Sequence, residues 1–157
     1  MIFWGGWVLA ERRLVVCLRI RLSSSVCQSG WHYFLISAAL TCARLDYAFL
    51  AATAGTYYVW VRALGPNTSS DSVHMGLNGT ATTSSVQLGN FYPTGSLVWS
   101  STRNDVTDRI TVQITTPGKQ TLNLWMRESG AIIDRILLTP DSTYTPSGTG
   151  PAESAWN

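Results

Sequence analysis

Between Gly89 and Asp105 the chain gathers Asn90, Phe91, Tyr92, Trp99, Arg103, Asn104 and Asp105 within seventeen residues. A flat aromatic ring covers the C–H face of a pyranose, and planar amide and guanidinium groups read its hydroxyls, so this mixture suits a sugar. Tyr92 precedes Pro93 in a stretch with no core periodicity, which favours a loop position where side chains meet ligands. Trp99 lies in the strand-like run Ser96–Ser101, where rim or core packing competes with binding. Trp60 and Trp125 each fall opposite the aliphatic set of their own segment, with Tyr58 close to the first and Arg62 and Arg127 two residues beyond each. These rings could form an exposed platform, but two packed sheets bury such residues as well, and the arginines could stack on them or pair with carboxylates. The candidate ligand-binding residues are therefore Tyr92, Trp99, Asn90, Arg103, Asn104, Trp125 and Arg127.

Signals for catalysis are thin. His74 has only His32 as a fellow histidine, and no acid stands at a spacing useful for a metal or a proton relay. Asp105 and Asp108 could be read as the two carboxyls of a glycosidase, but three residues apart and without a surrounding signature they read better as turn or calcium-type polar groups. No nucleophile elbow, phosphate loop or His-Glu-x-x-His motif occurs. The expectation is a non-catalytic domain.

Strand and turn signals that would position these residues recur every eight to fifteen residues from Ala43 onward, the spacing of an antiparallel β-sandwich. Arg44–Phe49 alternates. In Thr56–Leu64, Tyr57, Val59 and Val61 point one way and Tyr58, Trp60 and Arg62 the other. Ser72–Leu77 runs into Asn78-Gly79, the dipeptide that favours a type I′ hairpin because both turn residues need positive φ. Ile110–Thr115, Gln120–Arg127 and Ile132–Thr139, separated by Pro117-Gly118 and Ser129-Gly130, read as an antiparallel meander. After Pro140 the composition turns to Thr, Ser, Pro and Gly, so residues 142–157 read as a linker or a surface strap following a module over residues 43–141.

Composition narrows the class further. Charged residues are 13% of the 157, hydrophobic ones 45%, and Ser with Thr number 35, which excludes intrinsic disorder and suits hydroxyl-rich β-faces. The net charge of +2 divides unevenly, with +3 in residues 1–42 and −1 in the remainder. A near-neutral domain has no basic stripe with which to bind a phosphate backbone, so nucleic acid is not an expected partner. Cys17, Cys27 and Cys42 all precede the β-rich part and form no disulfide framework or zinc spacing. Residues 1–42 read either as a poorly formed signal sequence, with Trp31–Ala43 as its apolar stretch, or as a segment unrelated to the domain. Apolar clustering suggests helices over Leu14–Ile20 and His32–Cys42. No membrane span is expected for the folded domain.

The runs GTYYVWVRALGP (55–66), DSVHMGLNG (71–79), SLVWSS (96–101) and PGKQTLNLWMRESGAIIDRILLTPDSTYTPSGTGPAES (117–154) resemble accessory β-sandwich modules of secreted bacterial polysaccharide-degrading enzymes. They resemble in particular the C-terminal domain of family 115 glycoside hydrolases, and more distantly family 6 and family 35 carbohydrate-binding modules, which share a galactose-binding-like jelly roll. The resemblance covers about Ala43 to Ser154. It implies an all-β jelly roll, secretion or a cell-surface location, neighbouring domains of a parent protein, and a polysaccharide or other glycan as ligand, with no cofactor beyond a structural calcium. Within it, Ile133, Ile136 and Leu138 look like core, and Asp134 like a tie between a loop and the last strand. Two positions depart from the pattern of families 6 and 35. Ile132 stands where they place a sugar-binding Asn, and no acidic pair that would help hold calcium precedes Ala43. Either the sugar site lies elsewhere, or the module acts as a structural spacer or adhesion-type domain.

Overall fold

The computed structural model describes residues 7–8, 14–21, 44–81, 87–103 and 107–154. Among them ten strands run in chain order: β1 (Trp7–Val8), β2 (Leu14–Arg21), β3 (Arg44–Ala51), β4 (Gly55–Leu64), β5 (Val73–Leu77), β6 (Thr80–Ala81), β7 (Val98–Ser100), β8 (Thr111–Ile114), β9 (Gly118–Met126) and β10 (Ile132–Thr139). They form two sheets, ordered β1-β3-β9-β5-β6 (sheet I) and β2-β10-β4-β7 (sheet II), with β8 also pairing with β4. All pairings are antiparallel except β1 with β3. The two layers are those of an all-β sandwich.

Period-two alternation fixes the core. Along β4, Tyr57, Val59, Val61 and Ala63 are buried, whereas Tyr58, Trp60, Arg62 and Leu64 lie half-buried on the outer face. Leu122, Leu124 and Met126 of β9 face them from sheet I, with Phe49, Val73 and Met75 beside them. In β10 the core residues are Ile133, Ile136 and Leu138, a spacing of three and then two. The register shift between Ile133 and Arg135 accounts for it, because a bulge inserts one residue and resets the alternation. Asp134, the inserted residue, pairs with Arg62 on β4 at 2.6 Å, so it ties two neighbouring strands rather than a loop to a strand.

Asn78 (φ 53) and Gly79 (φ 84) make the expected hairpin between β5 and β6. Asn78 also reaches across to β9: its backbone N–H donates to the Thr121 carbonyl at 2.7 Å, and Thr121 N donates back to Asn78 Oδ1 at 2.8 Å.

Two expectations are corrected. The last three strands are not a meander: β8 and β10 pair with β4 in sheet II, while β9 sits between β3 and β5 in sheet I. Short turns such as that at Pro117 therefore cross from one sheet to the other. A Pro-Gly pair signals reversal of the chain without saying which sheet the next strand joins. Leu14–Ile20 is not a helix either. Leu14–Arg21 forms a strand against β10, with Leu14 opposite Leu138 and Arg21 opposite Ile132. Two turns of helix are marginal on their own, whereas the β10 edge offers a full ladder to a segment rich in Val and Ile. The helix expected over His32–Cys42 and the apolar stretch Trp31–Ala43 lie outside the described residues.

Candidate functional site

At one end of the sandwich three connections come together: residues 65–72 after β4, 89–97 before β7, and 127–131 between β9 and β10. The middle one is braced at several points. Gly89 N donates to the Thr102 carbonyl at 3.1 Å, Ser100 Oγ to the Gly89 carbonyl at 2.5 Å, and Gly95 N to the Gly65 carbonyl at 2.9 Å. Asn90 takes the left-handed backbone (φ 61) that Asn tolerates better than most residues. Its Nδ2 donates to Thr102 Oγ1 at 3.0 Å and to the Arg103 carbonyl at 2.9 Å. Asn90 thus holds the loop in shape; that amide nitrogen points into the protein.

The two aromatics that follow part company. Phe91 is fully buried in the core, while Tyr92, joined to Pro93 by a cis peptide, is 45% exposed. Tyr92 and Leu50 are the large apolar side chains most open to solvent among the described residues. Phe91 anchors the turn from below, so the ring of Tyr92 stands on a fixed base. Arg103 lies on the adjoining segment, with its amide bonded to the Asp108 carbonyl at 2.9 Å and its guanidinium 3.6 Å from the Asp108 carboxylate. Asn104 and Asp105 lie outside the described residues.

The remaining candidates are held elsewhere. Arg127 bonds to Ser72 Oγ and Glu128 Oε1, and the other oxygen of Glu128 accepts from Asp71 N at 2.8 Å, Ser72 N at 3.0 Å and Ser72 Oγ at 2.7 Å. This latch joins the β9–β10 connection to the entry of β5. Trp125 is 1% exposed, on the outer face of sheet I between Arg44 and His74 in register, with the Arg44 guanidinium 5.9 Å from its ring centre. It is not presented at the surface as a platform would require. The alternation that turned it away from the core did not reveal that the outer face is covered there. His74 is 4% exposed, and burial, reinforced by the charge of Arg127, lowers its pKa to about 4.

Trp99 lies on the outer face of sheet II opposite Arg62 and is covered by the C-terminal residues. Its Nε1 donates to the Gly148 carbonyl at 3.1 Å, and Gly150 packs so close to the ring that an added Cβ would come within 2.6 Å of Cζ2. Arg109 donates to the Ser142 carbonyl at 2.5 Å, and Arg135 to the Pro151 carbonyl at 3.2 Å. Residues 141–154 thus lie as a strap along the outer face of sheet II. Arg109 also stacks over Tyr58 and Trp60, 4.5 and 5.0 Å from their ring centres. Neither Arg109 nor Glu128 stands out in the sequence, since each acts on partners remote along the chain.

The family model described as the glycosyl hydrolase family 115 C-terminal domain matches residues 29–153. The chain belongs to that family. It is also 32% identical over 103 residues to a Formosa agariphila protein named uncharacterized protein P23, covering 62% of this chain and 25% of that one. The chain therefore spans about a quarter of this relative. A β-glucosidase structure from Paenibacillus barengoltzii superimposes with a TM-score of 0.41 at 20% identity, over 59% of this chain and 9% of the enzyme.

In this family 115 C-terminal domain, Ile132 opens β10 opposite Leu64, at the same end of the sandwich as the Tyr92 loop. An aliphatic residue there offers no hydrogen bond to a sugar. Among the described residues no three His, Cys, Asp or Glu side chains are grouped so as to hold a metal ion.

Proposed function

We propose that this family 115 C-terminal domain is a non-catalytic carbohydrate-binding module that holds a neutral polysaccharide at the loop carrying Tyr92. The observation behind this reading is the exposed ring of Tyr92 on a loop fixed by Asn90, Phe91 and the Gly95–Gly65 hydrogen bond. A stacking platform that is already ordered loses little entropy on binding. Arg103, partly exposed on the adjoining segment, supplies donors for sugar hydroxyls. Family membership supports an accessory role beside a catalytic domain, in a secreted or surface enzyme acting on polysaccharides. Sites of this type bind in the millimolar to micromolar range, about −4 to −8 kcal/mol, which one stacked ring and a few hydrogen bonds can supply. Affinity electrophoresis of the 157-residue chain through gels containing a panel of soluble polysaccharides tests the proposal. Retardation by at least one glycan is expected, and unretarded migration through all of them would refute it.

A second reading, a structural spacer or adhesion-type domain, is favoured by Trp125, which is buried, and by Trp99, which is half-buried against residues 148–150, since both rings then add packing. Under that reading all gels leave mobility unchanged, and Tyr92 packs against a neighbouring domain.

A further inference from the structure

Beneath the strap of residues 141–154, the outer face of sheet II carries Tyr58, Trp60, Trp99, Arg109 and Arg135. Three donors from this face are capped by main-chain carbonyls of the strap, at Ser142, Gly148 and Pro151. Four more donors of this face, Trp60 Nε1, Arg62 Nε, Arg109 Nη2 and Arg135 Nε, are buried and have no hydrogen-bond acceptor among the described residues. Such donors are costly to leave unpaired, and together with the rings around them they indicate a surface built for more acceptors than the strap provides.

The strap is itself a light cover. Of its fourteen residues nine are exposed, and Pro146 alone is buried. Segments with little buried apolar surface and exposed backbone open at the low end of local stability. What the strap presents to the face, carbonyl oxygens and a glycine packed close against an indole, matches what a glycan presents: hydroxyl and ring oxygens, and C–H groups. Arg62 and Arg135 already share Asp134, at 2.6 and 3.6 Å, so the ligand need not bring a carboxylate of its own.

We propose that residues 141–154 form a displaceable strap over a second glycan-binding face, on which a neutral pyranose stacks on Trp99 in place of Gly150 while its oxygens accept from Trp60 and Arg109. The ligand class rests on the carbohydrate-binding reading above; the site does not rest on Tyr92. While the strap is down, apparent affinity is reduced by the fraction of molecules in which the face is open, so lifting the strap tightens binding.

The test uses the full chain in a Tyr92→Ala background, so that the loop site and the strap face fail separately. Gly150→Val, and the milder Gly150→Ala, place a Cβ against the Trp99 ring and lift the strap. Tryptophan emission, far-ultraviolet circular dichroism and affinity electrophoresis in gels of a β-glucan, a galactomannan and an arabinoxylan are compared with the parent. The expected result is red-shifted emission with the sheet signal retained, and tighter binding to at least one gel, roughly tenfold if the strap is open about one time in ten. Adding Trp99→Ala then removes that gain. Unchanged emission in both variants, or a red shift with no gain in binding, would overturn the proposal.

Discussion

Arg62 on β4 and Asp134 on β10 form a half-buried ion pair of 2.6 Å at the bulge where β10 resets its alternation. Arg135 reaches the same carboxylate at 3.6 Å. The bulge lets Ile133 and Ile136 both face the core, and the pair satisfies the polar group that the extra residue introduces there. Asp134→Asn should keep the shape and lose the charge. It is expected to destabilise the domain by about 1–3 kcal/mol, read as a lower midpoint in chemical denaturation with an unchanged slope. A variant as stable as the parent would show that the pair contributes nothing net.

Gly76 faces outward on β5, where the β6 strand turns back so closely that a Cβ would overlap the Thr80 carbonyl. Backbone, not a flexible side chain, stands in the way. Gly76→Ala should therefore cost about 1–3 kcal/mol by overpacking and leave glycan retardation intact wherever the protein remains folded. Thermal melting alongside affinity gels checks both halves of this expectation.

His74 gives the domain an acid sensitivity. Its pKa is lowered from 6.5 to about 4 in the folded state, so the unfolded chain takes up a proton first as pH falls. Stability is fully present above about pH 6.5 and is lost as pH falls towards 4, by about 3 kcal/mol at most from this group. Tyr47, raised from 10.0 to about 12 chiefly by burial and then by the charge of Asp46, acts at the other end, where stability falls as pH rises from about 10 to 12. Denaturation midpoints measured from pH 7 down to 4 should decline for the parent and be flatter for His74→Gln. Equal slopes would contradict the assignment.

Much of this fold is legible in the sequence because β4 and β9 alternate cleanly and Asn78-Gly79 dictates its own turn. The sheet to which each strand belongs is not legible, since a turn dipeptide marks a reversal and not a destination. The site is less legible still. Phe91 and Tyr92 are adjacent aromatics, and only the packing beneath the loop decides that one is core and the other exposed. Trp99 reads equally as a rim, core or binding residue, and its contacts with Gly148 and Gly150 lie some fifty positions further on. Val15, Val16 and Ile20 fit a strand as readily as a short helix, and it is the β10 edge that selects the strand.

The central claim is that an exposed ring on a fixed loop carries the glycan, and Tyr92→Ala tests it most directly. Because 45% of Tyr92 is exposed and Phe91 holds the loop from below, the melting temperature should stay close to that of the parent. Retardation by the best polysaccharide in the panel should weaken about tenfold or more, roughly 1.4 kcal/mol. Binding that is unchanged in a stable Tyr92→Ala protein, or lost only together with a large fall in melting temperature, would contradict the account.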